Sequence, residues 1–404
     1  MPSVVASMTL LWICATSVWA QPLLFAPAPA SPVQVGPGSG QMILADIDRD
    51  GHLDMVTRHL FDRSVGVFRG DGKGGFARFP GGLMRLKDQP GALALADLNG
   101  DGMLDLVVTQ DHADAVDVFL GDGKGGFTPA SGSPFTASGS TAPYTHGLHL
   151  VDIDEDGKLD LITSNGHSHE LGILLGDGRG RFAAAPSLKL NLRANQSFVA
   201  FGDIDGDGHI DLVSISGGPD SSLPSALKVW RGDGKGAFAA LPGPPLQVPA
   251  DPHSLMLADL SGNRRQDIVS SHGGGLVSVL ENRGAGVFEP AAGSPYSINR
   301  DAFVIVAADV NRDGRTDLVA ATVDSITVLL ATGRSFAPAT PISFPAGPGA
   351  YKLALGDLNA DGAADVVASS FEGNAVTVLL GQTPRRLAAA PPLHPTARRA
   401  SPVR

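Results

Sequence analysis

Short apolar runs alternate with polar, glycine-rich turns along this chain, and the third stretch of the pattern shows the unit clearly. The run His149–Val151 leads into a polar loop, Asp152–Asp160, and the apolar run Leu161–Ser164 follows. A further run, Ile173–Leu175, precedes the turn Gly176–Gly180. Short apolar runs bounded by Gly and Asp predict β-strands. The unit therefore predicts four strands, A to D, with a polar loop between A and B and a tight turn between C and D.

The polar loop recurs seven times along the chain of 404 residues, at spacings between 48 and 56 residues. A period near 50 indicates a repeat architecture, in which stacked units form one body rather than separate domains. Four strands in each of seven units predict an all-β fold, a seven-bladed β-propeller of four-stranded antiparallel blades. The seven loops begin at Asp46, Asp97, Asp152, Asp203, Asp259, Asp309 and Asp357.

The ends of the chain suggest how the propeller closes. The segment from Phe25 resembles the D segment from Phe127, so a strand near residues 22–36 is expected to complete the last blade. The alternative is the segment from Leu387, which would let that blade complete itself. We expect the propeller to span residues 21–387, followed by a disordered basic tail at 388–404.

Each loop follows the pattern D-x-(D/N/S)-x-(D/N)-(G/R)-x-x-D, which sets oxygen donors two residues apart. Such donors suit Ca²⁺, with side chains at positions 1, 3, 5 and 9 and a backbone carbonyl at position 7. Six loops fit, so about six structural Ca²⁺ ions are expected. The predicted ligands are Asp46, Asp48, Asp50, His52 and Asp54; Asp97, Asn99, Asp101, Met103 and Asp105; Asp152, Asp154, Asp156, Lys158 and Asp160; Asp203, Asp205, Asp207, His209 and Asp211; Asp309, Asn311, Asp313, Arg315 and Asp317; and Asp357, Asn359, Asp361, Ala363 and Asp365.

The loops differ in charge, which predicts different affinities. The second, sixth and seventh carry Asn at position 3, so we expect them to bind Ca²⁺ more weakly than the others. The fifth loop has Asp259, Ser261, Asn263 and Asp267, with Arg264 in place of Gly. Two carboxylates are too few, so this loop is expected to be empty, with the guanidinium of Arg264 or of the adjacent arginine where the ion would lie.

The charge of the chain is concentrated in these loops. The net charge is −11, and 23 of the 41 acidic residues occupy ligand positions, so the acidity indicates a demand for cations and argues against nucleic acid as a partner.

Residues 1–20 contain the apolar run Met8–Trp19 and a small-residue cleavage pattern ending at Ala20, which predicts an export signal. The run is too short for a transmembrane segment, and no other candidate exists. The single cysteine lies in the signal, so the exported chain cannot form a disulfide, and bound metal is expected to stabilise it instead.

The aspartate loop followed by an apolar strand and a G-D-G-x-G-x-F turn resembles the FG-GAP/VCBS repeat over about residues 22–387. That repeat builds the integrin α-subunit propeller and many exported bacterial proteins. The resemblance implies Ca²⁺ binding, and roles in adhesion, glycan binding or as an accessory domain of an enzyme. We therefore expect a secreted, periplasmic or cell-surface module that binds a protein or a glycan. Alternatives are a lyase or hydrolase with its site at the channel mouth, and a structural component of the cell envelope.

The face opposite the metal loops carries the B–C loops and D–A connections, where partners are expected to bind. Histidines are assigned there, with His146 or His253 as the base of the enzyme alternative. The long B–C loop Ser216–Leu227 is the favoured recognition segment. Aromatic platforms are scarce, so a glycan site is expected to be polar. The tripeptides at 69–71 and 231–233 belong to the repeat turn and are not predicted to attach cells. The other histidines assigned to this face are His59, His112, His167, His169 and His272.

Overall fold

The structure is a computed structural model that describes residues 24–137, 145–165, 170–185, 199–216, 225–333, 335–336 and 342–382. The predicted signal at 1–20, the segment from Leu387 and the basic tail at 388–404 lie outside these residues. Within them the chain forms β-strands and no helix, and the main sheets are seven. The prediction of an all-β, seven-bladed propeller with four-stranded antiparallel blades is confirmed.

Every blade repeats the same order of strands. The A strands are Ser39–Ala45, Pro90–Ala96, Thr145–Val151, Val199–Gly202, Pro252–Ala258, Val304–Ala308 and Leu353–Gly356. The B strands are Asp54–His59, Asp105–Gln110, Asp160–Asn165, Asp211–Ser216, Asp267–His272, Asp317–Ala321 and Asp365–Ser370. The C strands are Ser64–Gly70, Ala115–Gly121, Glu170–Gly176, Ala226–Gly232, Leu276–Gly284, Ser325–Leu329 and Ala375–Gly381. The D strands of blades one to six are Phe76–Arg85, Phe127–Pro129, Phe182–Ala184, Phe238–Ala240, Val287–Pro290 and Ile342–Pro345.

The two ends of the described chain meet in the seventh blade. Phe25–Pro27 pairs antiparallel with Ala375–Gly381 and forms its D strand. The backbone N–H of Gln382 also donates to the carbonyl of Leu24 at 2.8 Å. The ring is thus closed by hydrogen bonds between residues more than 350 positions apart. Four short strands add to the outer edges of C strands, and one small hairpin follows the sixth C strand: Val33–Gln34, Phe135–Thr136, Leu246–Gln247 and Tyr296–Ser297, and the pair Ala331–Thr332 with Ser335–Phe336.

The apolar residues of the strands pack between neighbouring blades rather than in one central core. The cluster between blades one and two joins Val56 and Val67 to Leu93 and Leu106, all at most 2% exposed. A strands of adjacent blades contact one another, so they lie innermost and the D strands outermost. This arrangement places all A–B loops and C–D turns on one face of the disc. The B–C loops and D–A connections lie on the other face.

Candidate functional site

The ninth residue of every loop is a buried aspartate that begins strand B and fixes the loop to its blade. In the first loop, Asp54 Oδ2 accepts the N–H of Ile47 at 2.9 Å and its Oδ1 accepts the N–H of Gly70 at 2.9 Å. The same pair of bonds recurs in all seven loops. Each aspartate is at most 1% exposed, so these hydrogen bonds take the place of the bonds to water that burial removes. The other six aspartates are Asp105, Asp160, Asp211, Asp267, Asp317 and Asp365.

The first aspartate of the loop sets its curvature. Asp46 Oδ1 accepts the N–H of Asp50 at 3.1 Å, and its Oδ2 accepts the N–H of Gly51 at 3.0 Å. The residue at position 6 has a positive φ in every loop, as the glycine predicted. The residue at position 4 also has a positive φ in every loop. The sequence pattern did not predict this, because non-glycine residues such as Arg49, at φ 61°, occupy the position in several loops. The remaining residues at position 4 are Gly100, Glu155, Gly206, Gly262, Arg312 and Ala360.

Three loops bring carboxylates together in the way that a metal site requires. Single oxygens of Asp46, Asp48 and Asp50 lie within 4.8 Å of one another. The third and fourth loops do the same with positions 1, 3 and 9. Carboxylate oxygens at this separation are the hard donors that Ca²⁺ takes, so the residues present fit the ion. The two further groups are Asp152, Asp154 and Asp160, and Asp203, Asp205 and Asp211.

Crowded negative charge and burial change the acidity of the ninth aspartates. Burial is the largest cause of a raised pKa in Asp317 and Asp365, followed by backbone hydrogen bonds that oppose it and by repulsion from other loop aspartates. Their pKa values rise to about 6. A divalent cation in the loop would offset both unfavourable effects.

The loops with Asn at position 3 are closed by an internal amide contact. Asn99 Nδ2 donates to Asp101 Oδ2 at 2.9 Å, and Asn99 Oδ1 accepts the N–H of Asp101 at 2.8 Å. The sixth and seventh loops contain the corresponding amide–carboxylate bond. An incoming ion must compete with this bond, which supports the expectation of weaker binding in these three loops.

The backbone N–H at position 7 donates to the carboxylate at position 5 in all six predicted sites.

The first and fourth loops are instead contacted by an arginine from strand C. Arg69 Nε lies 2.9 Å from Asp48 Oδ2, and its Nη2 lies 2.8 Å from Asp50 Oδ2. Arg231 makes the same pair of contacts in the fourth blade. These arginines begin the two RGD tripeptides, so their side chains serve the adjacent loop. The carboxylate of Asp71 accepts turn N–H groups, which agrees with its assignment to the repeat turn.

The fifth loop keeps its shape without the predicted ligand set. Asp259 accepts the N–H groups of Asn263 at 3.0 Å and of Arg264 at 2.7 Å. Arg264 has a φ of 65° in the position that glycine occupies elsewhere. The guanidinium of Arg265 donates to the carbonyl of Arg283 at 2.9 Å. The guanidinium of Arg265 is thus engaged at the end of strand C and does not replace the ion, while the alternative with Arg264 stays a prediction.

Two histidines predicted on the opposite face are structural instead. His59 and His272 end B strands and are 0% exposed, so their assignment to exposed B–C loops is wrong. His59 contacts the hydroxyls of Thr57 at 2.7 Å and Ser64 at 2.9 Å. His272 contacts Ser270 at 2.9 Å. Burial lowers the pKa of each imidazole to about 4, so both are neutral near pH 7.

The remaining histidines divide between exposed and undescribed positions. His112 is exposed in a B–C turn. His253 lies at the start of an A strand, where its Nε2 is 3.1 Å from Asp251 Oδ2. The side chain of His146 lies outside the described residues, as do His167, His169 and most of the loop Ser216–Leu227.

Five rings form a continuous chain on this opposite face, which we call the aromatic arc: His253, Phe303, Tyr351, Phe371 and Phe61. His253 stacks on Phe303 with centroids 5.5 Å apart, and Phe303 meets Tyr351 edge-on at 4.9 Å. Tyr351 and Phe371 are 6.1 Å apart, and Phe371 and Phe61 are 5.3 Å apart. The arc crosses blades five, six, seven and one.

The aromatic arc is open to solvent at its Phe61 end, where that ring is 63% exposed. Sequence reasoning missed the arc because its rings come from different connections that do not repeat. Of the few tryptophan and tyrosine side chains that the sequence offers as platforms, the arc contains Tyr351, and its other rings are phenylalanine and histidine. Trp230, the one tryptophan of the predicted exported chain, is instead 9% exposed and donates to Ser214 Oγ at 2.9 Å.

Lys352 follows Tyr351 in the chain. Burial is the main cause that lowers its pKa to about 8, and the nearby positive charge of Arg58 is the second cause.

Solved structures share this architecture. Two crystal structures of BBS1N in complex with ARL6DN, one soaked with mercury and one with lead, match at 13% identity with TM-scores of 0.60 and 0.58, covering 89% of this chain and 97% of theirs. A lectin of Agrocybe aegerita, described as recognising non-reducing terminal N-acetylglucosamine, matches at 20% identity and a TM-score of 0.51, covering 77% of this chain and 80% of its own. These likenesses show the fold alone.

A search of curated proteins found no match. In the part of the chain that the structure describes, no helix is long and apolar enough to cross a membrane. The sequence profile of the FG-GAP-like repeat matches residues 46–108, 97–163, 152–214, 203–270, 259–320 and 309–368. Because these overlapping matches cover most of the chain, the protein belongs to the FG-GAP-like repeat family.

Proposed function

We propose that this protein is an exported, Ca²⁺-stabilised propeller that binds a glycan through the aromatic arc. The Ca²⁺ ions act as structural ties in six A–B loops, at the ligands that the sequence predicts. The glycan binds on the other face, where B–C loops and D–A connections surround the channel mouth. The observation that carries the binding role is the continuous contact of five rings from His253 to Phe61.

The arrangement of the rings supports a sugar ligand. Sugar rings present C–H faces that pack on aromatic side chains, and binding sites combine such apolar surfaces with a few polar groups. The aromatic arc also contains polar atoms, because the imidazole of His253 belongs to it and Asp251 Oδ2 lies 3.1 Å from His253 Nε2. An exposed large apolar ring such as Phe61 also marks an interaction surface when it joins other rings in one patch. Scattered surface phenylalanines would not support the proposal in this way.

Relatives in fold supply precedents for both partner classes. A lectin with this architecture is described as recognising terminal N-acetylglucosamine, and BBS1N is described in complex with ARL6DN. The aromatic arc favours the glycan over a protein. The acidic loops lie on the opposite face, so binding should tolerate changes in the C–D turns.

A glycan array tests the proposal directly. The protein in millimolar Ca²⁺ should bind a defined set of glycans, and Phe61→Ala or Tyr351→Ala should weaken that binding at least about tenfold. Val287→Ala is a matched control, because this valine is 54% exposed and begins the fifth D strand, directly after the C–D turn of the other face. Absence of any glycan ligand, or equal binding by the arc variants and the control, would overturn the glycan role. Capture of a defined protein by the wild type but not by the arc variants would make a protein the partner.

Export has its own test. The proposal expects cleavage after Ala20, so N-terminal sequencing of protein recovered outside the cytoplasm should begin at Gln21. Recovery of an uncleaved chain in the cytoplasm would contradict it.

A further inference from the structure

Strand C carries an arginine at one equivalent position in only two of the seven blades. The position is defined structurally as the residue before the N–H that bonds the ninth aspartate. Arg69 occupies it in the first blade and Arg231 in the fourth, both of which have four-aspartate loops. The other blades have Leu120, Leu175, Glu281, Leu330 and Leu380.

Each arginine bridges two predicted ligands of its own loop. Arg231 Nε lies 2.8 Å from Asp205 Oδ2, and its Nη2 lies 2.8 Å from Asp207 Oδ2, which repeats the contacts of Arg69. The carboxylate at position 3 is largely shielded from solvent, with the Asp48 side chain 10% exposed and that of Asp205 7% exposed. Charge pairs with a shielded partner interact more strongly than fully exposed ones, and a two-point contact fixes the guanidinium.

The third loop provides an internal comparison. It has the same four aspartates, but Leu175 replaces the arginine. Its cation is Lys158 within the loop, whose Nζ lies 2.7 Å from Asp156 Oδ2. Both side chains of that pair are well exposed, so the pair is weak and easily displaced. The three loops that look equal in sequence therefore differ in how their charge is balanced.

We propose that Arg69 and Arg231 are internal counter-ions that hold the first and fourth loops together without Ca²⁺ and lower their affinity for it. This inference rests on the Ca²⁺ binding of the proposed function. A guanidinium that contacts two ligand carboxylates repels an incoming divalent ion and must move away from them. The third loop, Asp152–Asp160, is consequently the tightest of the three. Among the three blades with four-aspartate loops, the first and fourth depend least on Ca²⁺ for folding.

The test is a competition titration of the full chain with Ca²⁺ against a fluorescent chelator. Arg69→Leu and Arg231→Leu insert the residue that most blades have, and each should strengthen one Ca²⁺ site about tenfold. Each should also lower the Tm in EDTA and so enlarge the rise produced by Ca²⁺. Arg179→Leu is the control, because it removes the same charge from an exposed turn of the third blade.

The reverse substitution completes the design. Leu175→Arg should weaken the tightest site about tenfold and raise the Tm in EDTA. Unchanged or weaker Ca²⁺ binding by both arginine variants, relative to Arg179→Leu, would overturn the inference while leaving the metal sites in place. If the wild type takes up no Ca²⁺ at all, the proposed metal sites fail and the inference fails with them.

Discussion

The carboxylate of Asp267 accepts a hydrogen bond from the backbone N–H of Asn282 at 2.8 Å, and its second oxygen accepts the N–H of Leu260 at 3.1 Å. This aspartate lies in the fifth loop, which has too few carboxylates for the predicted Ca²⁺ site. The same bonds recur in the other six blades. The ninth aspartate therefore ties strand C to the A–B loop whether or not an ion binds.

Replacing Asp267 should destabilise the protein without changing its Ca²⁺ content. Asp267→Ala leaves the buried N–H of Asn282 and the partly buried N–H of Leu260 without acceptors, which predicts a loss of about 2–4 kcal/mol in the free energy of unfolding. Urea unfolding measures the loss, and a chelator titration should return the wild-type number of ions. Asp324→Ala is the control, because Asp324 pairs with Arg300 at an exposed position and should contribute less than about 0.5 kcal/mol. A similar small effect for both variants would contradict the anchoring role.

The fifth loop stores backbone strain at Arg264. Its φ of 65° is a left-handed conformation that glycine adopts freely and arginine does not. Arg264→Gly should therefore stabilise the protein by about 0.5 kcal/mol, after allowance for the greater freedom of glycine in the unfolded chain. Denaturant unfolding in EDTA measures the change, with Arg179→Gly as a control at another exposed position. Destabilisation by Arg264→Gly would show that its side chain stabilises the loop.

Ca²⁺ binding should release protons in mildly acidic solution. The pKa values of Asp317 and Asp365 are about 6 without metal, so both carboxyls hold protons below that pH and bound Ca²⁺ must displace them. Without Ca²⁺, raised carboxyl pKa values stabilise the fold most below pH 4, and this contribution disappears as the pH rises through 6. Calorimetric titrations at pH 5.5 in two buffers of different ionisation enthalpy should give different heats. Equal heats would mean that these carboxyls are already ionised.

His59 and His272 should stay neutral throughout the range in which exposed histidines titrate. Burial lowers their pKa values to about 4, so their ring protons should show no titration shift in NMR spectra between pH 5 and 8. Because the folded pKa lies below the unfolded value, their contribution to stability is present above about pH 6.5 and disappears toward pH 4. The C2 proton of free histidine in the same buffers serves as the reference. Titration of His59 near pH 6.5 would place it in solvent.

The structural features that repeat in every blade could be predicted from the sequence, and the contacts that occur only once could not. The loop from Asp46 to Asp54 recurs with a fixed spacing, so the blades, the loops and their face of the disc could be inferred. The aromatic arc joins Phe61 to His253 across four blades through connections of different length, and no local pattern encodes such contacts. The contact between Arg69 and Asp48 was also missed, because it joins strand C to the loop before strand B.

The histidine assignments show where strand ends limit sequence reasoning. The sequence pattern predicts a loop at His59, yet strand B continues through it because Thr57 and Ser64 supply partners for both ring nitrogens. A polar residue at the end of an apolar run predicts a loop only when its side chain makes its hydrogen bonds with water rather than with protein groups. Thr57 lies on the same strand as His59 and Ser64 begins the neighbouring C strand, so the second contact forms only in the folded blade.

The most direct test of the account is thermal unfolding of residues 21–404 in EDTA and in millimolar Ca²⁺. We predict a large upward shift of the Tm in Ca²⁺, with about six ions bound per chain. Equal Tm values and no bound Ca²⁺ would mean that the loops are metal-free turns held by their own hydrogen bonds, and would contradict the central claim.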